Sequence, residues 1–302
     1  MSYGSGGRAD KFGNRYENRW VASQLLKLCK EQITSLIHEP IGDLADGIDL
    51  QIFHNDTVEL HQCKGSNAQK NSWDMSDLQT KQAFERMKSH LSKGDMYYYK
   101  WISPYPCVAM KTLIQEATNS DDCPCVFYNH QIKANPGKIS KEVEKNFKSF
   151  CSYMGLEPIN SDDTPNEHDI RQARSYLKRI EFILFDDSIY ARDSIIEQIS
   201  DVFQGISIDV YETLLTYISE NNRFSSKINV SEINSYLTSR KMYKLDLSNN
   251  NQVWPRINEL NKEFENEFRP LDCGLIHRTE VDDIYNYIAN GESVILHGKP
   301  GA

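Results

Sequence analysis

Two short stretches of alternating side chains, joined by a four-residue turn, place the strongest constraint on the fold of this chain. Residues 47–53 read Gly-Ile-Asp-Leu-Gln-Ile-Phe, and residues 58–64 read Val-Glu-Leu-His-Gln-Cys-Lys. Residues 54–57, His-Asn-Asp-Thr, supply polar residues of the kind that chains use to reverse direction. Alternation on both sides of such a turn predicts a β-hairpin.

The predicted hairpin brings three polar side chains of different chemistry together. Side chains alternate between the two faces of a strand, so Gln62 and Lys64 share one face and His61 is turned to the other. Asp49 lies at the base of the first strand and can sit beside Gln62 and Lys64 across the ladder. The expected cluster contains a carboxylate, an amide oxygen and an ammonium. The alternative is a solvated hairpin in which these residues have no chemical role.

The segment before the hairpin is predicted to form an amphipathic helix over about residues 10–32. Its apolar residues recur at helical spacing, at Trp20, Val21, Leu25, Leu28 and Cys29. Glu17 falls one turn before Trp20, on or beside the face expected to be buried. A buried carboxylate is costly unless a cation or hydrogen-bond donors meet it, so Glu17 is a candidate site residue.

A helix that carries an acid, followed by Asp-x₁₂-Gln-x-Lys on a hairpin, resembles the core of the PD-(D/E)xK nucleases. The sequences Asp-Gly-Ile-Asp at 46–49 and Gln-Cys-Lys at 62–64 are similar to those of Mrr-like restriction nucleases and of related nuclease effectors in bacterial antiphage systems. The resemblance covers about residues 10–130. It implies a restriction-endonuclease-like α/β core and the hydrolysis of phosphodiester bonds in DNA.

The resemblance also implies a catalytic role for each candidate residue. Asp49, Glu17 and Gln62 are expected to bind Mg²⁺ or Mn²⁺ through oxygen atoms. The metal lowers the pKa of a water molecule and neutralises charge on the scissile phosphate, and Lys64 stabilises the charge of the transition state. Asp46 is a possible assisting acid. Gln62 replaces the usual acid of the family, and a neutral amide binds Mg²⁺ less strongly than a carboxylate does.

The residues after the hairpin are expected to continue an alternating α/β module. The apolar pattern predicts a helix over residues 76–91, a strand over 96–102, a helix near 108–117 and a strand near 126–128. With the hairpin and the first helix, these elements make up a predicted nuclease domain of residues 1–158.

The charge of the chain limits how it can contact nucleic acid. A net charge of -9 argues against attraction over the whole surface, so contact with double-stranded DNA is expected only in a local basic cleft. The polar loop at residues 65–72 carries Lys70, which together with Lys64 suits a phosphate backbone. An ordinary exposed loop is the alternative.

A polar, turn-rich stretch at residues 160–167 predicts a linker. After it, residues 168–268 contain four apolar stretches, which we interpret as an α-helical connector or oligomerisation region. This region shows no catalytic cluster. Its expected role is to hold copies of the protein together and to transmit the state of a nucleotide switch, with a plain spacer as the alternative.

The last five residues fill the first five places of the phosphate-binding loop G-x-x-x-x-G-K-[ST]. Gly298, Lys299 and Gly301 are therefore candidate nucleotide-binding residues of an incomplete loop. The pattern at residues 275–281, in which Arg and Glu follow two apolar residues, is similar to the entrance of STAND-type signal-transduction NTPases. Residues 270–302 are thus predicted to begin such a domain, with ATP bound only in a longer protein. The alternative is a strand that ends in a Gly/Pro turn.

Composition favours a cytoplasmic protein without a membrane span. No apolar run approaches the ~20 residues of a transmembrane helix. Seven cysteines without regular spacing suit a reducing compartment better than a disulfide scaffold.

These patterns together predict the fold class and the function. The predicted fold is α/β, with a PD-(D/E)xK restriction-endonuclease-like core, an α-helical connector and the first strand of a P-loop NTPase. The expected function is that of a metal-dependent DNA endonuclease effector in an antiphage STAND defence protein, which self-associates into a dimer or tetramer when a C-terminal sensor detects a phage protein. The alternatives are the nuclease subunit of an NTP-dependent restriction system and a non-catalytic nucleic-acid-binding or scaffold module.

Overall fold

A six-stranded mixed sheet forms the centre of the fold in the computed structural model. Its strands are, in chain order, β1 (Ser35–His38), β2 (Leu50–Phe53), β3 (Val58–Cys63), β4 (Tyr97–Ser103), β5 (Ile180–Leu184) and β6 (Lys227–Asn229). Their order across the sheet is β5-β4-β3-β2-β1-β6. The structure describes residues 6–43, 45–65, 71–120, 123–133, 141–161, 164–186, 188–220 and 225–245.

Strand direction divides the sheet into two parts. β1, β2 and β3 form an antiparallel meander, and β6 pairs antiparallel with the outer edge of β1. β4 and β5 run parallel to β3. Parallel neighbours require a crossover connection, and helices supply it both between β3 and β4 and between β4 and β5. The carboxyl ends of β3, β4 and β5 therefore lie at one edge of the sheet.

Helices cover both faces of this sheet. Within the described ranges they are α1 (Gly6–Cys29), α2 (Met75–Thr80), α3 (Ala83–Leu91), α4 (Val108–Asn119), α5 (Pro124–Phe127), α6 (Lys141–Tyr153), α7 (Glu167–Lys178), α8 (Ile189–Ser200), α9 (Ser207–Glu220) and α10 (Val230–Ser239). A π-helical turn, Tyr128–Ile132, continues α5.

Each face of the sheet carries its own hydrophobic core. Leu60 and Trp101 belong to the core that the sheet shares with helices α2 to α7. Leu50 and Ile52 belong to the core on the other face, which is built with α1 and with helices α8 to α10. All four side chains are fully buried. The alternation that indicated a hairpin thus corresponds to two buried faces, both covered by helices.

The structure confirms the predicted hairpin and first helix. β2 and β3 pair antiparallel with Phe53 opposite Val58. The turn between them is closed by a hydrogen bond of 2.9 Å from the His54 N–H to the Thr57 carbonyl oxygen. The helix predicted over residues 10–32 is observed as α1.

The predicted fold class was wrong. Residues 168–268 were expected to form an α-helical connector, but they contribute β5 and β6 to the same sheet as the hairpin. β5 was misread because its short apolar run directly follows α7, and periodicity alone does not separate a short buried strand from a helical segment. Met1–Leu245 form one compact unit of mixed α/β class with a single six-stranded sheet, rather than a nuclease core with an appended helical region.

Two local predictions also differ from the structure. The strand expected at residues 126–128 is helical, because Pro124 begins α5 at its first position and the chain continues into the π-helical turn. The single helix expected over residues 76–91 is two helices. Gln82, between α2 and α3, has a φ of +58°, which is incompatible with a continuous right-handed helix.

Two predicted sites lie outside the described residues. They are Lys70 and the phosphate-loop residues Gly298, Lys299 and Gly301. Within the described ranges, no helix combines the length and the apolar character needed to cross a bilayer.

Candidate metal centre

The predicted site residues converge at the edge of the sheet where β1 and β3 end and β2 begins. α1 supplies Glu17, and Asp49 comes immediately before β2. Gln62 is the next-to-last residue of β3, and Lys64 directly follows that strand. β1 ends at the same edge with His38, which pairs with Leu50 of β2.

Glu17 and His38 are in direct contact at this edge. Nε2 of His38 lies 2.9 Å from Oε1 of Glu17. His38 is only 5% exposed, and the Glu17 side chain is 20% exposed. Glu39 adds a third group, because one possible ligand atom of each of the three residues lies within 4.8 Å of the other two. Carboxylate oxygens and imidazole nitrogens are common ligands of divalent ions, so this group has the donor set of a metal site.

The turn after β1 is held in place by residues that come just before β2 and β6. Glu39 has a φ of +45°, a left-handed conformation that is uncommon for a residue with a side chain. Its N–H donates to the Asp49 carbonyl oxygen at 2.8 Å, and its carbonyl oxygen accepts from Oγ of Ser225 at 2.5 Å. The Ser225 N–H also donates to the carbonyl oxygen of His38 at 2.8 Å. The backbone that carries His38 and Glu39 is therefore fixed to the start of β2 and to the residues just before β6.

Asp49 is the acid whose ionisation the site disturbs most. Burial and the nearby negative charge of Glu17 raise the pKa of the Asp49 carboxyl to about 6. The charge of Lys64 and the Cys63 N–H, which donates to Oδ2 of Asp49 at 2.5 Å, oppose this increase without cancelling it. Asp49 therefore sits beside a second acid with too little positive charge around it to ionise at its usual pH.

We expect metal affinity to fall steeply when Asp49 is protonated. A metal ion binds the carboxylate form, so the apparent dissociation constant should rise about tenfold for each pH unit below the pKa near 6 and level off above it. Titrations with Mn²⁺ between pH 5 and pH 8 measure this dependence. Asp49→Asn should bind more weakly at pH 8 and should show a flatter dependence. An affinity of the native protein that is constant across this range contradicts a role for Asp49 as a ligand.

Gln62 lies opposite Asp49 in the pairing of β2 with β3, as predicted, but its side-chain amide is hydrogen-bonded to Tyr99 of β4. The side chain is fully buried, and the Tyr99 hydroxyl donates to its Oε1 at 2.5 Å. Nε2 of Gln62 has no hydrogen-bond partner, although buried polar atoms are normally paired. If the Gln62 amide is rotated by 180°, its nitrogen contacts the Tyr99 hydroxyl and its oxygen becomes the unpaired atom. Gln62 lies on the face of the sheet opposite to His38, because His38 pairs with Leu50 and Leu50 pairs with His61.

Lys64 places a positive charge close to these acids. The Lys64 ammonium group lowers the pKa of Asp49. The backbone N–H of Lys64 donates to the Ile102 carbonyl oxygen of β4 at 2.8 Å. The backbone bond fixes the point from which the side chain extends. The lysine is partly buried.

Asp46 is not brought into this group. Its side chain is 77% exposed, and its Oδ1 lies 3.4 Å from Nε of Arg86 in α3. The adjoining Gly47 has a φ of +67°, and a Cβ there would lie 2.3 Å from Cδ of Arg86. The positive φ strains any other residue at this position, and a Cβ there would also displace the Arg86 side chain. The role of Asp46 as an assisting acid stays a prediction, and its described contacts are to α3.

His61 points to the opposite face, as alternation predicted. Its Nδ1 accepts from Nε1 of Trp20 at 3.0 Å, which places the proton on Nε2, and Nε2 lies 3.0 Å from Oε2 of Glu59. Nζ of Lys100 lies 2.8 Å from the other oxygen of Glu59. Burial opposes ionisation of Glu59, but hydrogen bonds from His61 and Lys100 outweigh burial and lower its pKa to about 2. The charges of Glu59 and Lys100 are thus paired with each other, and we interpret this network as structural.

Sequence reasoning missed His38 and Glu39. Both follow a four-residue strand, β1, whose alternation is too short to stand out from the end of the preceding helical pattern. The available signal was the sequence His-Glu-Pro after an apolar pair, because a proline commonly marks the point where a strand ends. The pairing of β1 with β6, nearly 200 residues away in the chain, leaves no local trace.

Comparison with known proteins gives weak structural relatives only. No protein-family profile and no curated protein matches the sequence. The Acinetobacter baumannii Cap4 SAVED/CARF-domain containing receptor, solved with the cyclic trinucleotide 3'3'3'-cAAA, has a TM-score of 0.45 at 12% identity, over 75% of this chain and 48% of that chain. The Moraxella osloensis Cap4 receptor has a TM-score of 0.43 at 12% identity, with the same shares covered. The chain thus spans about half the length of these receptors.

These comparisons contradict the predicted family and function. The similar structures are described as Cap4 SAVED/CARF-domain containing receptors, and no profile of an Mrr-like nuclease or STAND NTPase family matches. The prediction of a DNA endonuclease effector in an antiphage STAND protein was therefore wrong. It relied on a motif of a few residues, which many folds can carry by chance. The chemical roles assigned to Glu17, Asp49, Gln62 and Lys64 stay predictions.

Proposed function

We propose that this chain is a divalent-metal-dependent hydrolase of phosphodiester bonds, with its centre at Glu17, His38, Asp49 and Lys64. The observation that carries the proposal is the group of Glu17, His38 and Glu39, in which His38 lies 2.9 Å from Glu17 and one possible ligand atom of each residue lies within 4.8 Å of the other two. Asp49 lies next to this group, and burial and the charge of Glu17 raise its pKa. Two partly buried acids close together are costly unless a cation or hydrogen-bond donors meet them. A divalent ion is the group that removes this cost and uses the donors that the site presents.

The donor set fits such an ion. Glu17 and Asp49 offer carboxylate oxygens, which are the preferred ligands of Mg²⁺ and Mn²⁺. An ion bound there supplies Lewis-acid chemistry, lowers the pKa of water and neutralises charge on the reacting phosphate.

The side chains around the ion bind the substrate and stabilise the transition state. The Lys64 ammonium is positioned to attract an anionic ester and to stabilise the additional negative charge of its transition state. Asp49 and Glu17 fix the position of the bound ion, because Glu17 is held by α1 and Asp49 by the start of β2. A cation site beside a lysine suits a substrate whose reacting group is already an anion, which favours a phosphodiester over a neutral ester or amide.

Hydrolysis assays with defined metals test the proposal. We expect the chain to hydrolyse bis(4-nitrophenyl) phosphate, or fluorescent oligonucleotides, with Mn²⁺ or Mg²⁺ and to stop when EDTA is added. Asp49→Asn should remove the activity. Asp56→Asn is the matched control, because Asp56 is an exposed acid in the turn at the opposite end of the hairpin.

Two outcomes contradict the proposal. If the native protein binds Mn²⁺ and an oligonucleotide but leaves the oligonucleotide intact under all metal conditions, the centre belongs to a receptor and not to a hydrolase. If activity survives in Asp49→Asn at the level of Asp56→Asn, hydrolysis takes place elsewhere.

A further inference from the structure

We infer that His38 is a nitrogen ligand of the metal centre and that it gives the site a preference for first-row transition ions over Mg²⁺. This inference rests on the metal site of the proposed function and specifies which ion that site takes. It concerns a residue that the catalytic motif does not include.

The distance between His38 and Glu17 matches that between two neighbouring ligands of one ion. Metal–nitrogen and metal–oxygen bonds of about 2.1 Å at right angles place two donors about 3 Å apart. Nε2 of His38 and Oε1 of Glu17 are 2.9 Å apart. An ion beside this pair can therefore bind both atoms at this separation, once the shared proton leaves and the two side chains turn toward the ion.

The residues around His38 indicate that a metal ion binds beside His38 and Glu17. A buried histidine hydrogen-bonded to a glutamate is a common structural arrangement and needs no metal. Here Glu39 also brings a carboxylate oxygen within 4.8 Å of both groups, from a backbone fixed by Asp49 and Ser225.

The chemistry of imidazole determines which ions benefit. Mg²⁺ is a hard cation that prefers oxygen ligands and keeps several waters, whereas nitrogen ligands strengthen binding in the order Mn²⁺ < Fe²⁺ < Co²⁺ < Ni²⁺. In a site made of carboxylates alone, the affinities for these ions differ less. With His38 as a ligand, affinity should rise along the series, and loss of the imidazole should weaken Ni²⁺ and Co²⁺ binding much more than Mg²⁺ binding.

Electron spin-echo spectroscopy of bound Mn²⁺ tests the assignment directly. We expect the native protein to show coupling of the ion to a ¹⁴N nucleus, and we expect His38→Gln to lose it while still binding Mn²⁺ through Glu17 and Asp49. Labelling histidine with ¹⁵N should change the signal in the native protein. In competition titrations, His38→Gln should weaken Ni²⁺ binding by about tenfold or more, comparable to the loss caused by altering groups around a metal ligand.

A matched control separates this role from a general effect of removing a histidine. His168 also lies 2.9 Å from a carboxylate, that of Asp169, but it is exposed on α7, so His168→Gln should leave both the coupling and the affinities unchanged. Glutamine at position 38 can keep a hydrogen bond to Glu17, and circular dichroism checks that the variant is folded. Binding of Mn²⁺ without nitrogen coupling in the native protein overturns the inference and leaves the proposed hydrolase standing. No binding of any ion overturns both.

Discussion

Replacement of Lys64 by alanine is expected to lower the rate of phosphodiester hydrolysis by about 100-fold or more, as for other groups that stabilise charge in a transition state. The ammonium contributes most when the phosphate gains negative charge, so the loss should fall mainly on kcat. Metal binding should change far less, because Lys64 is not a ligand. Its charge lowers the pKa of Asp49, so a modest weakening of metal binding is expected only near and below neutral pH.

Steady-state kinetics with saturating Mn²⁺ at pH 8 measure this effect, and Lys81→Ala serves as the control. Lys81 lies in the exposed turn between α2 and α3 and should have no influence. Lys64→Arg should recover part of the rate, since it restores the charge with a different geometry. Full activity of Lys64→Ala, with metal binding intact, removes Lys64 from the mechanism.

Replacement of Arg179 by methionine is expected to lower the free energy of unfolding by about 3 kcal/mol, because buried acceptors lose their donor. Nη1 of Arg179 donates to the carbonyl oxygens of Leu91 and Gly94, at 3.0 and 2.7 Å, and more weakly to that of Tyr97 at 3.4 Å. The residue is only 8% exposed and ties the chain before β4 to the end of α7. Methionine fills much of the volume but offers no hydrogen.

Urea unfolding followed by circular dichroism measures the loss. Arg171→Met, an exposed change on the same helix, is the control and should alter stability by less than about 0.5 kcal/mol. Since Arg179 lies far along the sheet from the metal centre, folded Arg179→Met should retain native metal affinity. A stability equal to that of the control means that water replaces the guanidinium at these carbonyl groups.

The parts of the fold that sequence could predict are those with local periodicity. Alternation over residues 47–64 indicated both the hairpin and the faces of Gln62 and His61, because side-chain direction in a strand follows from position alone. Helical spacing indicated α1 and the inward position of Glu17. Together with the spacing of the motif, these two periodicities were enough to group Glu17 with the polar residues of the hairpin.

The parts that sequence could not predict depend on contacts between distant residues. β1 and β6 are too short to show alternation. β1 is a strand because it pairs with β2 and β6, and β6 is a strand because it pairs with β1. His38 could therefore not be placed beside Glu17. β5 is a strand because β4 lies beside it, although its apolar run continues the pattern of α7. The family was misjudged for a related reason, since a motif of a few residues does not define the chain around it.

The anchoring of the turn after β1 by Ser225 restricts how evolution can recombine this protein. A gene fusion joined near residue 160 would retain Glu17, Asp49, Gln62 and Lys64 but would leave an edge of β1 unpaired and the backbone of His38 and Glu39 without its partner. Unpaired edges of this kind promote association with other strands. Exchange of this region between proteins should therefore preserve the centre only when the junction falls after Leu245, where the compact unit ends. Descendants that have lost the helices α8 to α10 are expected to have lost the chemistry as well, even where the motif in their sequences is intact.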